Sequence, residues 1–203
     1  MFKYTLTCCF VLFLGFHASS QKRFSTKIFI GFTATQVQGD ALAGFDKAGI
    51  TAGIGISRPI NKKWSWGFEM AYIQKGSKSQ TNPDSVNYNY YKMALHYIEV
   101  PLLLNYRSKK ISFSAGPTVG VLIAGREENF SGILPIVAPF KKYEIGLTGG
   151  VLYQYSKKVS FGIRSSESLL SIRETPAYAK SAFGRFRGQY NIGLSLQIFY
   201  SFL

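Results

Sequence analysis

The stretch RSKKISFSAG at Arg107–Gly116 returns almost unchanged as YSKKVSFGIR at Tyr155–Arg164, and an echo of it, NKKWSWGFEM, lies at Asn61–Met70. Each copy contains two lysines, an apolar residue, a serine and an aromatic residue. The lysine pairs lie 47 and 48 residues apart, at 62–63, 109–110 and 157–158. An internal period of this length indicates a repeated supersecondary unit.

Each copy opens a run in which apolar residues alternate with small polar ones. After the second lysine pair, Ile111 and Phe113 alternate with Ser112 and Ser114, and the pattern continues to Ile123. Strict alternation indicates a β-strand with two different faces. Eight such runs form four hairpins, joined by tight turns near 59–63, 108–110 and 156–158 and by long polar connections near 36–47, 77–91, 126–141 and 173–188. The sequence therefore predicts an all-β fold, an eight-stranded antiparallel up-and-down barrel.

The composition of the polar face favours a transmembrane barrel over a soluble lipocalin-like one. A face in water would carry many charged residues, but here it is mostly Gly, Ser, Thr and Asn, which suit a narrow lumen. The aromatic residues gather near the strand ends, as in the girdles of membrane barrels. Most lysines and arginines lie in turns and loops. Pro117 interrupts one predicted strand, and we expect it at a bulge or near the rim.

The amino terminus has the features of a secretory signal peptide. Lys3 precedes an apolar core at Leu6–Phe16, and Ala18-Ser19-Ser20 forms a small-residue cleavage site. We predict a signal peptide at 1–20 and one barrel domain at 21–203. Both cysteines lie in the removed segment, and the mature chain has 23 basic and 10 acidic residues, a formal charge of +13.

An exported chain with this charge is expected to meet anionic lipid. We predict that it resides in the cell outer membrane, with outer-membrane lipid and lipopolysaccharide as partners and no nucleic acid. In the last long connection, Arg173, Lys180, Arg185 and Arg187 are candidates for contact with lipopolysaccharide phosphates, which arginine can pair in bidentate fashion. The alternative for these four residues is a solvated basic loop.

Four charged residues have the parity of the lumen-facing positions, namely Glu69, Glu99, Glu144 and Arg164. Charges in a narrow lumen require partners, so we expect a paired cluster that fills the lumen. The alternative reading of this cluster is a proton or ion pathway.

Nothing in the sequence predicts catalysis, a metal site or a cofactor. His96 is the single histidine of the predicted mature chain, and we interpret it as a rim residue with lipid-facing parity. A lipid hydrolase would require it beside a serine and an acid. The glycines of GITAGIGIS, at Gly49–Ser57, lie inside a strand without the spacing of a dinucleotide fingerprint.

The segments HYIEVPLLLNY (His96–Tyr106), FSAGPTVGVLIAG (Phe113–Gly125) and GFEMAYIQKGSK (Gly67–Lys78) resemble the PorT-like outer-membrane β-barrel family of Gram-negative bacteria. The resemblance implies an outer-membrane barrel whose founding member is linked to protein secretion. It also implies recognition by the barrel assembly machinery through a terminal aromatic residue, which here is Phe202, one residue before the end.

The sequence therefore predicts a structural, binding or assembly role through the loops or turns, with a periplasmic or secretion-system protein as a candidate partner. A narrow porin-like channel is the second hypothesis, and a lipid-modifying enzyme of the outer membrane is the third.

Overall fold

The computed structural model describes residues 24–40, 42, 44–79, 90–135, 138–174 and 188–202, and the predicted signal peptide lies outside them. The described chain consists of nine β-strands joined by turns and loops. No helix in these ranges is long and apolar enough to cross a membrane. The strands are β1 (Ser25–Gln38), β2 (Lys47–Pro59), β3 (Trp64–Lys78), β4 (Tyr91–Ser108), β5 (Ile111–Asn129), β6 (Gly132–Ile133), β7 (Tyr143–Gln154), β8 (Val159–Ser168) and β9 (Tyr190–Phe202).

Eight of these strands form a closed antiparallel barrel. Each pairs with its neighbours in the order β4-β3-β2-β1-β9-β8-β7-β5, and β4 pairs with β5 to close the wall. The two-residue β6 only extends the β5 end as a short hairpin. Closure pairs both edges of every wall strand, as a sheet in lipid requires. The prediction of an eight-stranded up-and-down barrel is confirmed.

The two faces of the wall follow the alternation seen in the sequence. On β1, Phe32 is 76% exposed whereas the next residue, Thr33, is 4% exposed. Phe32 lies opposite Leu196 of β9, which is also exposed. The outer surface is thus a continuous apolar belt, whereas most inward-facing positions carry small, polar or charged side chains. Such a belt is stable in hydrocarbon and not in water.

The repeated lysine pairs lie in the tight turns at one end of the barrel. In the β2–β3 turn, the Asn61 side chain accepts hydrogen bonds from the backbone N–H groups of Lys63 and Trp64, both at 2.9 Å. Ser156 accepts equivalent bonds from Lys158 and Val159 in the β7–β8 turn, at 3.3 and 3.1 Å. Short polar side chains stabilise turns in this way. Because short turns face the periplasm in such barrels, we assign this end, with the start of β1 and the end of β9, to the periplasmic side.

The irregularity in strand register does not lie at Pro117, where the sequence predicted it. Pro117 stays within β5, faces outward and pairs with Leu147 of β7. The register instead shifts between His96 and Tyr97 of β4, opposite Ile123 of β5. The expectation of a bulge or rim position at Pro117 was therefore wrong. The real bulge adds a residue to β5 and reverses the facing of the residues beyond it, which turns Glu127 inward.

Candidate functional site

The lumen is occupied by charged side chains at two levels. At the level nearer the periplasm, the Arg164 guanidinium donates two hydrogen bonds to the Glu69 carboxylate, at 2.6 and 3.1 Å. The Lys27 ammonium lies 2.7 Å from the same carboxylate. We call Lys27, Glu69 and Arg164 the lower network. Two cations on one carboxylate leave this level with a formal charge of +1.

Two aromatic rings pack against the Arg164 side of the lower network. The rings of Phe29 and Phe199 point inward, are almost fully buried and lie 5.2 Å apart between centroids. The Arg164 guanidinium lies over both rings, at 5.9 and 5.7 Å from their centroids. Cation–π contact of this kind holds a guanidinium in place where water is scarce. Leu152 packs against the same rings, so they form an apolar floor under Arg164, and Lys27 reaches the periplasmic side of this floor.

The level nearer the outside carries the opposite formal charge. Lys75 is 1% exposed and lies between two carboxylates, 2.7 Å from Glu144 and in direct contact with Glu99. Glu144 also accepts hydrogen bonds from Ser168 at 2.6 Å and Asn191 at 2.8 Å. We call Lys75, Glu99 and Glu144 the upper network. Its formal charge of −1 balances the +1 of the lower network, so the lumen carries three cations and three carboxylates at these two levels.

The four residues predicted to form one cluster all point into the lumen, but the structure divides them between two networks. Arg164 joins Glu69, whereas Glu99 and Glu144 share Lys75. Sequence reasoning missed the two lysines that complete the networks. Both have lumen parity, since Lys27 precedes inward-facing Phe29 by two residues and Lys75 follows Glu69 by six. Extending the alternation to the ends of these runs would have found them.

Above the upper network, an apolar layer closes the lumen toward the outside. It consists of Val37, Ile73, Met93, Leu95, Tyr97 and Ile172, all of them less than 10% exposed. Ile172 comes from the segment after β8, whose backbone N–H bonds to the carbonyl of Gln189 at 2.8 Å. The segment after β8 thus folds back over the barrel mouth, and we call it the plug.

Arg173 belongs to this plug. The prediction that it contacts lipopolysaccharide was wrong. It is buried, donates hydrogen bonds to both oxygens of Glu127 at 2.8 and 2.9 Å, and donates a third to Gln189 at 3.0 Å. Its guanidinium also lies 4.5 Å from the Phe140 ring centroid. Burial opposes the charge of Arg173, but the Glu127 bonds outweigh this and raise the pKa of the guanidinium further. Arg173 thereby joins the segment after β8 to Glu127 of β5 and to Gln189 at the outer end of the barrel.

The other three candidates of that loop, Lys180, Arg185 and Arg187, lie outside the described residues. Cations that the structure does place on the outward surface of the extracellular rim include Lys78 and Lys92, which lie directly opposite each other on β3 and β4. Glu128 lies 3.5 Å from Lys92.

His96 lies on the outward face of β4, and its Nδ1 is 2.6 Å from the Tyr72 hydroxyl. In the described ranges, no serine hydroxyl or carboxylate is hydrogen-bonded to His96, so the triad geometry of a hydrolase is not assembled around it. Within the same ranges, no group of three or more His, Cys, Asp or Glu side chains is placed to hold a metal ion.

Known proteins match the chain at the level of family and fold. Residues 11–174 match the model of the outer membrane protein beta-barrel domain. Neisserial surface protein A superimposes with a TM-score of 0.51 at 14% identity, over 88% of this chain and 97% of that one. Ail, the attachment invasion locus protein of Yersinia pestis, superimposes with a TM-score of 0.50 at 14% identity, over 88% and 98%.

At these identities, the structural matches establish the fold alone. No curated protein sequence matches the chain. The family match covers most of the sequence, and its domain is one of outer-membrane barrels, in agreement with the apolar belt of the wall. The chain therefore belongs to the outer membrane protein beta-barrel domain family and resides in the outer membrane.

Proposed function

We propose that this protein is a closed barrel that serves the outer membrane as a structural, binding or assembly component, acting through its two ends. The observation that carries the proposal is the filling of the lumen. From the periplasmic side outward, the Phe29–Phe199 floor, the two charge networks and the apolar layer around Tyr97 follow one another along the lumen. Eight strands leave an interior that side chains can fill completely.

The filled lumen argues against the second hypothesis, a narrow channel. A conducting path would need a wet, polar route past the phenylalanine floor and past the four ion pairs of the two networks. Buried pairs with this many partners hold their geometry tightly, because breaking one leaves an uncompensated charge. A lipid-modifying enzyme is favoured by no feature of the described residues.

The two ends of the barrel are suited to different binding partners. On the outward surface of the extracellular rim, Lys78 and Lys92 lie opposite each other across two strands. Like charges in this arrangement destabilise a sheet; Glu128 offsets part of the charge at Lys92, and a further anion would offset the rest. Lipopolysaccharide phosphates at this level of the outer leaflet would be suitable anions. At the periplasmic end, the lysine-rich turns suit a protein partner, and the resemblance to PorT-like proteins supports a role in assembly or secretion.

Site-specific photo-crosslinking in native membranes tests this division. A photoreactive residue replaces Lys109 in a periplasmic turn, Lys78 at the extracellular rim, or Leu196 in the apolar belt as the control. We expect a protein adduct in near-stoichiometric amount from position 109, a lipopolysaccharide adduct from position 78, and only lipid adducts from position 196. If position 109 gave nothing but phospholipid adducts, the proposed action through the periplasmic end would be contradicted.

A further inference from the structure

A cavity of about 340 Å³ opens at the periplasmic end of the barrel, directly below the Phe199 and Leu152 floor. We call it the vestibule. Every wall strand contributes one neutral polar side chain to its lining, and six of these form directly opposed or neighbouring pairs. The pairs are Ser25 with Ser57, Ser65 with Asn105, and Gln154 with Ser160. Hydroxyl and amide groups arranged around an axis can donate hydrogen bonds to an anion.

Cations surround this polar ring. Lys62, Lys63, Arg107 and Lys157 line the vestibule beside the ring, and Lys27 lies deeper, where it is paired with Glu69. Among the residues that the structure describes, none of the first four has a carboxylate within ion-pair distance. The lower network, whose Lys27 reaches the vestibule, already carries one excess positive charge. Within the described part of the chain, the vestibule is therefore a positive site whose four outer cations have no paired carboxylate.

The repeat in the sequence builds this site. In each copy, the lysine pair occupies the turn, and the serine two residues after it, Ser65, Ser112 or Ser160, points into the vestibule. The aromatic residue that follows, such as Phe113 or Phe161, faces lipid. The stability of the turn explains the residue before the lysines, such as Asn61 or Ser156, whose side chain accepts hydrogen bonds from the turn backbone. It does not explain why the serine after the lysines points toward the barrel axis. The spacing within the chain thus brings a serine hydroxyl to the vestibule three times, and the first and third copies add the ammonium groups of Lys62, Lys63 and Lys157.

We infer that the vestibule binds an acidic peptide segment of a periplasmic protein. This rests on the proposed action through the ends and specifies its periplasmic partner. The volume is in the range of small ligand pockets, about 300–1,000 Å³, so it admits a few side chains and not a folded domain. The strands wall the vestibule off from the inner leaflet, so a lipid headgroup would have to leave its leaflet to enter. A flexible chain bearing carboxylates enters along the axis without that obstacle.

The test uses the mature full-length protein in nanodiscs of zwitterionic lipid, with a fluorescent octaglutamate peptide as the probe. Binding is measured by anisotropy, and emission of Trp64, which lines the vestibule, reports occupancy. The test variant replaces Lys62, Lys63, Arg107 and Lys157 with glutamine. The matched control replaces four other residues with glutamine, namely Arg58, Lys109, Lys110 and Lys158. They carry the same total charge at the same end of the barrel but do not line the vestibule.

We expect the vestibule variant to weaken peptide binding at least about tenfold and to abolish the change in Trp64 emission. The control should weaken binding less than about threefold, because salt screens charges that lie more than about 8–10 Å from the bound peptide. Equal losses in both variants would overturn the inference in favour of diffuse charge attraction. Absence of octaglutamate binding, or displacement of the peptide by inorganic phosphate or phosphatidylglycerol at far lower concentration, would overturn it in favour of a phosphate ligand. Neither result would remove a protein adduct at position 109. The inference about the vestibule can therefore fail while the proposed action through the periplasmic end stands.

Discussion

Replacement of Lys75 by methionine is expected to destabilise the barrel by about 3–5 kcal/mol, the cost of removing one partner of a buried ion pair. Lys75 is the single cation of the upper network, and its Nζ lies 2.7 Å from Glu144 and against Glu99. Without it, two buried carboxylates face each other with only Ser168 and Asn191 as donors. The free energy of unfolding, from urea titrations of the protein in lipid vesicles, measures the loss.

A triple variant separates charge from packing in this prediction. Lys75→Met combined with Glu99→Gln and Glu144→Gln removes the whole charged network and keeps its volume. Since replacement of a complete buried network by neutral groups is often tolerated, most of the lost stability should return. A Lys75→Met protein as stable as the parent would mean that the upper network does not hold the lumen.

Replacement of Arg164 by alanine is the second large effect, and we expect it at the lower end of the same range of about 3–5 kcal/mol. Arg164 makes two of the hydrogen bonds to Glu69 and lies over the rings of Phe29 and Phe199. Lys27 remains with Glu69 in the variant, which limits the loss. The midpoint of thermal unfolding in detergent, followed by circular dichroism, should fall clearly.

Arg126→Ala is the matched control for this substitution. Arg126 pairs with Glu128 on the surface and its side chain is 58% exposed. Exposed ion pairs contribute about 0–1 kcal/mol, so the midpoint should hardly move. If both alanine variants unfolded at the same temperature as the parent protein, the lower network would have no role in stability.

The wall of the barrel could be predicted from the sequence because its determinants are local. The alternation along each run, as in Ile28–Thr33, predicts which side chains face lipid. The spacing of the lysine pairs predicts the number of hairpins. The same parity pointed Glu69, Glu99, Glu144 and Arg164 into the lumen. It does not state which of them meet, because that depends on the heights of strands distant in sequence, such as β3 and β8 for the Glu69–Arg164 pair.

The outer closure could not be predicted in this way. The bulge opposite Ile123 reverses the facing of β5 beyond it, so simple parity points Glu127 outward when it lies inward. Its partner Arg173 comes from a segment 46 residues further along the chain. A basic residue in a long connection was therefore interpreted as a free surface charge, whereas the folded chain buries it as part of the plug.

Single-channel recording in planar bilayers is the measurement that tests the filled lumen most directly. A variant with alanine at Phe29, Arg164 and Phe199 serves as a positive control for an emptied lower lumen. The filled lumen predicts that the parent protein inserts without stepwise conductance in 1 M KCl, on the order of the background of the protein-free bilayer, since eight-stranded walls leave no free channel when side chains fill them. Stable, ohmic conductance steps from the folded parent protein would contradict the closed barrel on which the proposed function rests.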